Sequence, residues 1–272
     1  MTKRFFTLLF AFAAMITTAN AQNTINGHEY VDLGLPSGTL WATCNVGASS
    51  PEDYGDYFAW GETEAKKTYN WGNYKWCEVS YDGTFHDWYY NNNLIKYCDK
   101  STYGVVDNKM ELEPNDDAAY VKWGEKWRMP NREQLVEILK VATWKWETLN
   151  GVKGCSVRGP NGNSIFFPAS GIFGDELEAA GQGADYWSRT LSSQTPNAAY
   201  QIDLDPFSSW GYDYRACGCS IRPVVNGMSD GIALFNQETR TNHNWYSVDG
   251  KKLNGEPTKK GVYIVNGRKV VK

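Results

Sequence analysis

The sequence predicts a mixed α and β fold: a strand-and-loop domain packed on one main helix and followed by a small β-meander. Three stretches carry that expectation. In residues 123–140, Asn131 can cap a helix with its side-chain oxygen, Gln134 can reach back as in a capping box, and Pro130 stops backward extension. Leu135, Val136, Ile138 and Leu139 then recur at the spacing of a buried helical face, and Trp123 and Trp127 bring two large rings nearby. Further on, Gly159-Pro160-Asn161-Gly162 separates two strand-like runs, 155–158 and 164–167, which is a hairpin pattern. Near the end, Asp249-Gly250 and Asn266-Gly267 are turn signals that favour φ > 0, set among apolar runs such as Val262-Tyr263-Ile264-Val265.

The remaining elements follow from local chemistry. Residues 1–21 read as a secretory signal, with Lys3 and Arg4 before the apolar run 5–16 and Ala19-Asn20-Ala21 as a small-residue cleavage site. Maturation is expected at Gln22. The apolar run is too short to anchor the chain across a bilayer, and no comparable run follows. Residues 30–35 and 40–43 are two short strands joined by Pro36-Ser37-Gly38. Residues 45–104 run through Gly, Asn, Asp, Tyr and Trp without a helical period, so a loop-rich region held by aromatic rings is expected there. A short helix over 116–121, capped by Asn115 or Asp116, precedes the main one. Strands are expected at 186–188, at 198–204 with alternating polarity, and at 220–224, where the domain closes. The organisation is therefore a signal at 1–21, a domain at 22–226, a linker at 227–240 and a β-module at 241–272.

Charge and cysteines bound the function. The signal holds 2 of the 27 Lys and Arg, and residues 241–272 hold 7 of them against Asp249 and Glu256. Residues 22–240 keep 18 positive and 29 negative charges, and so acidic a body argues against a nucleic-acid partner. Export would permit disulfides, and Cys44, Cys77, Cys98, Cys155, Cys217 and Cys219 are an even set whose pairing the sequence leaves open. In a strand, Cys217 and Cys219 would share a face, which disfavours a bond between them and leaves a metal or redox role, or simple packing of buried thiols.

Several ordered blocks resemble one family. They are 30–42 (Tyr-Val-Asp-Leu-Gly-Leu-Pro-Ser-Gly-Thr-Leu-Trp-Ala), 55–63 (Gly-Asp-Tyr-Phe-Ala-Trp-Gly-Glu-Thr), 116–119, Trp127-Arg128-Met129-Pro130, 161–166, Tyr186-Trp187-Ser188 and 220–224. Over about residues 29–225 the chain resembles the Fibrobacter succinogenes major paralogous domain (FISUMP) family of exported proteins of Bacteroidetes and relatives. The resemblance implies an α+β domain of the C-type-lectin-like kind, shared with formylglycine-generating enzymes, with a twisted antiparallel sheet and long loops. It does not supply a function, because fold alone does not. The tail is similar to C-terminal sorting-domain-like segments of secreted and surface Bacteroidetes proteins, which implies delivery to the cell envelope, or it is a plain terminal β-module.

Candidate chemistry is sparse. His28, His86 and His243 lack ligand spacing, and no H-E-x-x-H, C-x-x-C or G-x-S-x-G is present. Glu113-Pro114-Asn115 spells the sugar-binding triplet of calcium-dependent lectins, yet it precedes the main helix, where a capping role fits better. Glu52, Asp53 and Asp56, and Asp203 with Asp205, offer oxygens for Ca²⁺, although acids in loops are usually turn formers; no cofactor is expected. The oxidase relatives bind copper through two cysteines, a role Cys217 and Cys219 could take only with a changed spacing. Twelve Trp and 17 Tyr are the residues best suited to a ligand, since rings stack on sugar faces. Residues 205–215 mix aromatics, acids and an arginine in an expected loop, so Asp205, Trp210, Tyr212, Asp213 and Arg215 are the candidate binding residues; a hairpin packed on its own rings is the alternative. The expectation is a non-enzymatic, exported binding module of the bacterial envelope, its ligand a glycan or a surface protein. A purely structural envelope protein is the plainer alternative.

Overall fold

The computed structural model describes residues 23–78, 93–226, 245–247, 249–253, 257–265 and 268–271. The expected signal at 1–21, the expected linker at 227–240, His86, His243 and the Asn266-Gly267 turn lie outside them. The chain divides into two compact units, one through Gly227 and one from Met228.

The first unit begins with β1 (Thr24–Ile25), β2 (His28–Asp32) and β3 (Leu40–Ala42), paired antiparallel in that order. The described part of 45–104 holds one 3₁₀ turn, Trp71–Asn73, and isolated bridges, as its lack of period requires. Helix α1 (Ala118–Trp123) is capped by Asp117 rather than by Asn115 or Asp116. The Asp117 carboxylate accepts from the Tyr120 amide at 3.1 Å and also from the Met129 amide at 2.9 Å, so the same group ends one connection and starts a helix. Asp116 instead points to Lys75, Lys96 and the Tyr97 hydroxyl.

Helix α2 (Arg132–Val141) has the expected capping box: Asn131 accepts from the Gln134 amide and Gln134 accepts from the Asn131 amide, both at 2.9 Å. Gln134, Leu135 and Ile138 are its buried residues, with Val136 and Leu139 only partly covered. Trp123 and Trp127 meet edge to face at 5.0 Å, and His28 lies flat on Trp123 at 3.8 Å. That stack leaves His28 a packing role.

Strands β4 (Thr143–Leu149), β5 (Val152–Arg158) and β6 (Ser164–Pro168) form an antiparallel sheet with the expected 159–162 hairpin; β4 was not anticipated, although Trp-Lys-Trp-Glu alternates. After the short pair β7 (Ile172–Phe173) and β8 (Leu177–Glu178), strands β9 (Ala184–Leu191), β10 (Ala198–Leu204) and β11 (Ser209–Tyr214) make a second three-stranded sheet in the order β11-β10-β9. Every residue of β10 except Asp203 is buried, so its expected alternation is absent. Both faces are covered: Ile202 and Leu204 pack with Leu135 and Ile138, and Ala199 packs with Trp187 and Trp60. Of the expected strand at 220–224 only Val224 lies in one, β12 (Val224–Val225), which pairs with β3, so the end of the unit closes on its beginning.

Two arginines lie fully buried in this unit. Arg222 donates to Asn45 and to the carbonyls of Ala42, Thr43 and Phe166, and Arg215 donates to the Tyr74 hydroxyl and to the carbonyls of Lys96, Tyr97 and Pro196. Their five-donor forks tie distant loop segments to the core without a carboxylate partner. The loops thus have cores of their own, and rings such as Tyr69, Trp71 and Tyr74 are buried there.

All six cysteines are free thiols, which corrects the expected disulfides. Five of them are divided among three separate core clusters, where they pack as small apolar groups, and Cys44 lies partly covered beside the Thr43 hydroxyl. In the second unit, β13 (Trp245–Ser247), β14 (Val262–Val265) and β15 (Arg268–Val271) form a three-stranded antiparallel meander, and Gly250 takes positive φ in the 249–250 turn. No helix among the described residues is long and apolar enough to cross a membrane.

Candidate functional site

The stretch 205–215 is a hairpin turn followed by an edge strand, the alternative reading of this stretch rather than the loop. Asp205 makes the turn by accepting from the Phe207 amide at 2.7 Å, and β11 then pairs along β10 from Asp203 opposite Ser209 to Ala198 opposite Tyr214. Strand alternation sends Trp210, Tyr212 and Tyr214 to one face and Ser209, Gly211 and Asp213 to the other.

This hairpin presents the least covered rings of the described chain, Phe207 in its turn and Trp210 and Tyr212 on the first face. Phe207 is 91% exposed, Tyr212 50% and Trp210 46%, whereas most other tryptophans and tyrosines are buried or partly covered. Tyr200 meets Trp210 edge to face at 5.9 Å, and the Arg132 guanidinium lies over both rings at 4.8 and 4.9 Å. The Nε of Arg132 has no hydrogen-bond partner, while the Tyr200 hydroxyl meets Ser193 at 2.8 Å. Beside this stack, a cleft of about 350 Å³ is lined by Tyr103, Thr195, Asn197, Tyr212, Asp213 and Tyr214. Rings, hydroxyls, an amide and a carboxylate therefore converge on one cleft, the mixture expected of a polar ligand with apolar faces.

Four of the five candidate residues share this hairpin, and one is redirected. Asp205 is a turn former, Trp210 and Tyr212 are exposed rings, and Asp213 borders the cleft. Arg215 is fully buried and spends its donors on the core, so it faces no ligand. The arginine at the surface is Arg132, at the start of α2; it and Tyr103, Thr195 and Asn197 come from segments that no local motif links to β11.

The second face is acidic. Asp185 lies opposite Asp203, and Asp213 lies two residues along β11 from Gly211, which stands opposite Gln201. Burial, then the charges of Asp213 and Asp203, push the Asp185 carboxyl up to about 8. Burial and neighbouring acids also raise Asp203 and Asp213. Cys217 and Cys219 sit beside them, and burial together with Asp185 and Asp213 pushes both thiols up. This is the reverse of the electropositive setting that activates a thiolate.

The other candidate groups are accounted for by structure. Asp53 accepts from the Ser49 and Ser50 amides, and Glu52 accepts from Asn150. Glu113 stands at the N-cap position of a 3₁₀ turn without a side-chain cap bond, and its carboxylate pairs with Lys96 and Lys109. Among the described residues, no group of three or more His, Cys, Asp or Glu is placed to hold a metal ion.

Comparison with family models, curated proteins and solved structures finds no match. The reading of the site therefore rests on its own geometry.

Proposed function

We propose that the protein is an exported, non-enzymatic binding module of the bacterial cell envelope, of the FISUMP and C-type-lectin-like kind, that takes a glycan at the edge of β11. One observation carries the reading: in a unit that buries nearly all its large rings, Trp210 and Tyr212 stand half exposed beside a cleft edged by Asp213, Asn197 and Thr195. A sugar ring offers an apolar face to such rings and hydroxyls to such polar groups. Arg132, held over Tyr200 and Trp210, adds a positive charge at the same place. The raised thiols of Cys217 and Cys219 favour binding over oxidase chemistry.

Delivery to the envelope, by secretion or attachment at the cell surface, follows from the signal at 1–21 and the sorting-like tail. A glycan array probed with the purified chain is expected to give a hit that Tyr212→Ala weakens. An empty array, together with capture of a surface protein through the same edge, would replace the glycan with a protein ligand.

A further inference from the structure

Arg132 sets a positive charge on the exposed rings of β11, and no described residue neutralises it. Its guanidinium lies over Tyr200 at 4.8 Å and Trp210 at 4.9 Å. Among the described residues it forms no ion pair, and only its backbone amide is bonded, to the Thr190 hydroxyl at 3.0 Å. Glu133, next along α2, is exposed and makes no ion pair with it. Other arginines of the unit are spent within it: Arg189 pairs with Glu111, Arg128 donates to the Glu125 and Trp127 carbonyls, and Arg215 and Arg222 hold the core. Acids are not scarce, with 29 against 18 cations over residues 22–240, so Arg132 is left open by its placement.

The two rings also decide what the guanidinium can offer. Its Nε is enclosed beside them, so the terminal amino groups of this partly exposed side chain are the donors left for a ligand. Paired donors in one plane match the oxygens of a carboxylate or a sulfate. Strand alternation puts Trp210, Tyr212 and Tyr214 in a row of about 13 Å, longer than one sugar ring. Arg132 stands at the Trp210 end, while Asn197, Thr195 and Asp213 border the cleft at the Tyr212 and Tyr214 end. The row therefore has a direction, cationic at one end and hydroxyl-binding at the other.

We infer that the ligand is an acidic oligosaccharide, and that Arg132 binds the oxyanion, a hexuronate carboxylate or a sulfate ester, of the sugar unit stacked on Trp210. This rests on the glycan reading of the β11 edge and adds to it the charge and the direction of the ligand. Hydrogen bonds between ionised partners are roughly twice as strong as neutral ones, so the acidic unit dominates the affinity. The following units run toward Tyr212 and Tyr214, where their hydroxyls meet Asn197, Thr195 and Asp213.

Titration calorimetry of the intact chain with two matched pairs tests this: a galacturonic acid oligomer against its methyl ester, and dextran sulfate against dextran. Each pair keeps the backbone and removes the charge, and the pair that responds distinguishes carboxylate from sulfate. The charged member of at least one pair is expected to bind roughly tenfold tighter or more, an advantage that shrinks as NaCl is raised. Arg132→Gln is expected to bring that member down to the affinity of its uncharged counterpart with the melting temperature unchanged. Arg132→Lys keeps the charge without the planar fork and is expected to recover only part of the advantage. Charged members that bind no tighter than neutral ones in both pairs, or an advantage that survives in folded Arg132→Gln, would overturn the acidic ligand. Neutral glycans that still bind and are lost in Trp210→Ala would then leave the glycan reading standing, whereas a chain that binds no glycan, charged or neutral, would remove both.

Discussion

Asp185 shows how a single buried carboxyl shapes the behaviour of the protein. Its pKa rises to about 8 in the fold, from about 3.9 in an unfolded chain, so the folded state holds the proton more tightly. Its contribution to stability is then fully present below about pH 4 and is lost as pH rises through about 8. Asp117, pushed by burial up to about 6, acts with the same sign over the lower part of that window. Urea unfolding at pH 4, 6 and 8 is expected to show stability falling across the series, and Asp185→Asn is expected to flatten the fall between pH 6 and 8. A wild-type curve that rises over that interval would refute this role. Arg215 shows the opposite economy, a buried cation satisfied by neutral oxygens. Arg215→Ala strands three carbonyls and leaves the Tyr74 hydroxyl with only its bond to the Trp60 carbonyl, and a loss of roughly 3–5 kcal/mol is expected in chemical unfolding. Arg215→Lys is expected to recover little of it, because an ammonium cannot reproduce the planar fork.

At the scale of elements, α2 links sequence to site most directly. Asn131 and Gln134 bond each other's amides, Gln134 reaches Thr39, and Glu137 holds the Ser37 amide of the 36–38 turn. The first residue of this helix, Arg132, is the one that lies over Trp210. Asn131→Ala is therefore expected to lower stability by about 1 kcal/mol and also to weaken ligand binding, whereas Asn131→Asp keeps the cap and should change both little. Strand β11 carries the exposed rings because only its β10 side is paired, and its rings project from an edge. Had it been a free loop, Trp210 could not be held at a fixed distance from Tyr200.

Over the whole molecule, the legible parts were those written in local chemistry. The α2 cap, the 159–162 hairpin and the terminal meander each rest on residues within a few positions of one another. Strand β10 stands at its expected bounds, 198–204, but its two covered faces are set by α2 and Trp187 rather than by its own seven residues. Arg215 looked like a surface residue beside exposed aromatics, and only the return of the loops around Tyr74 and Tyr97 buries it. The rings at 210 and 212 were visible as candidates, while Arg132, Tyr103 and Asn197 reach the same cleft through long-range packing. The central claim, that this cleft and its rings bind a glycan, is tested most directly by titrating the strongest array hit into wild-type chain and Trp210→Ala. The account predicts saturable binding to wild type and a loss of roughly tenfold or more in the variant with its melting temperature unchanged. Equal affinity in the two proteins would contradict it.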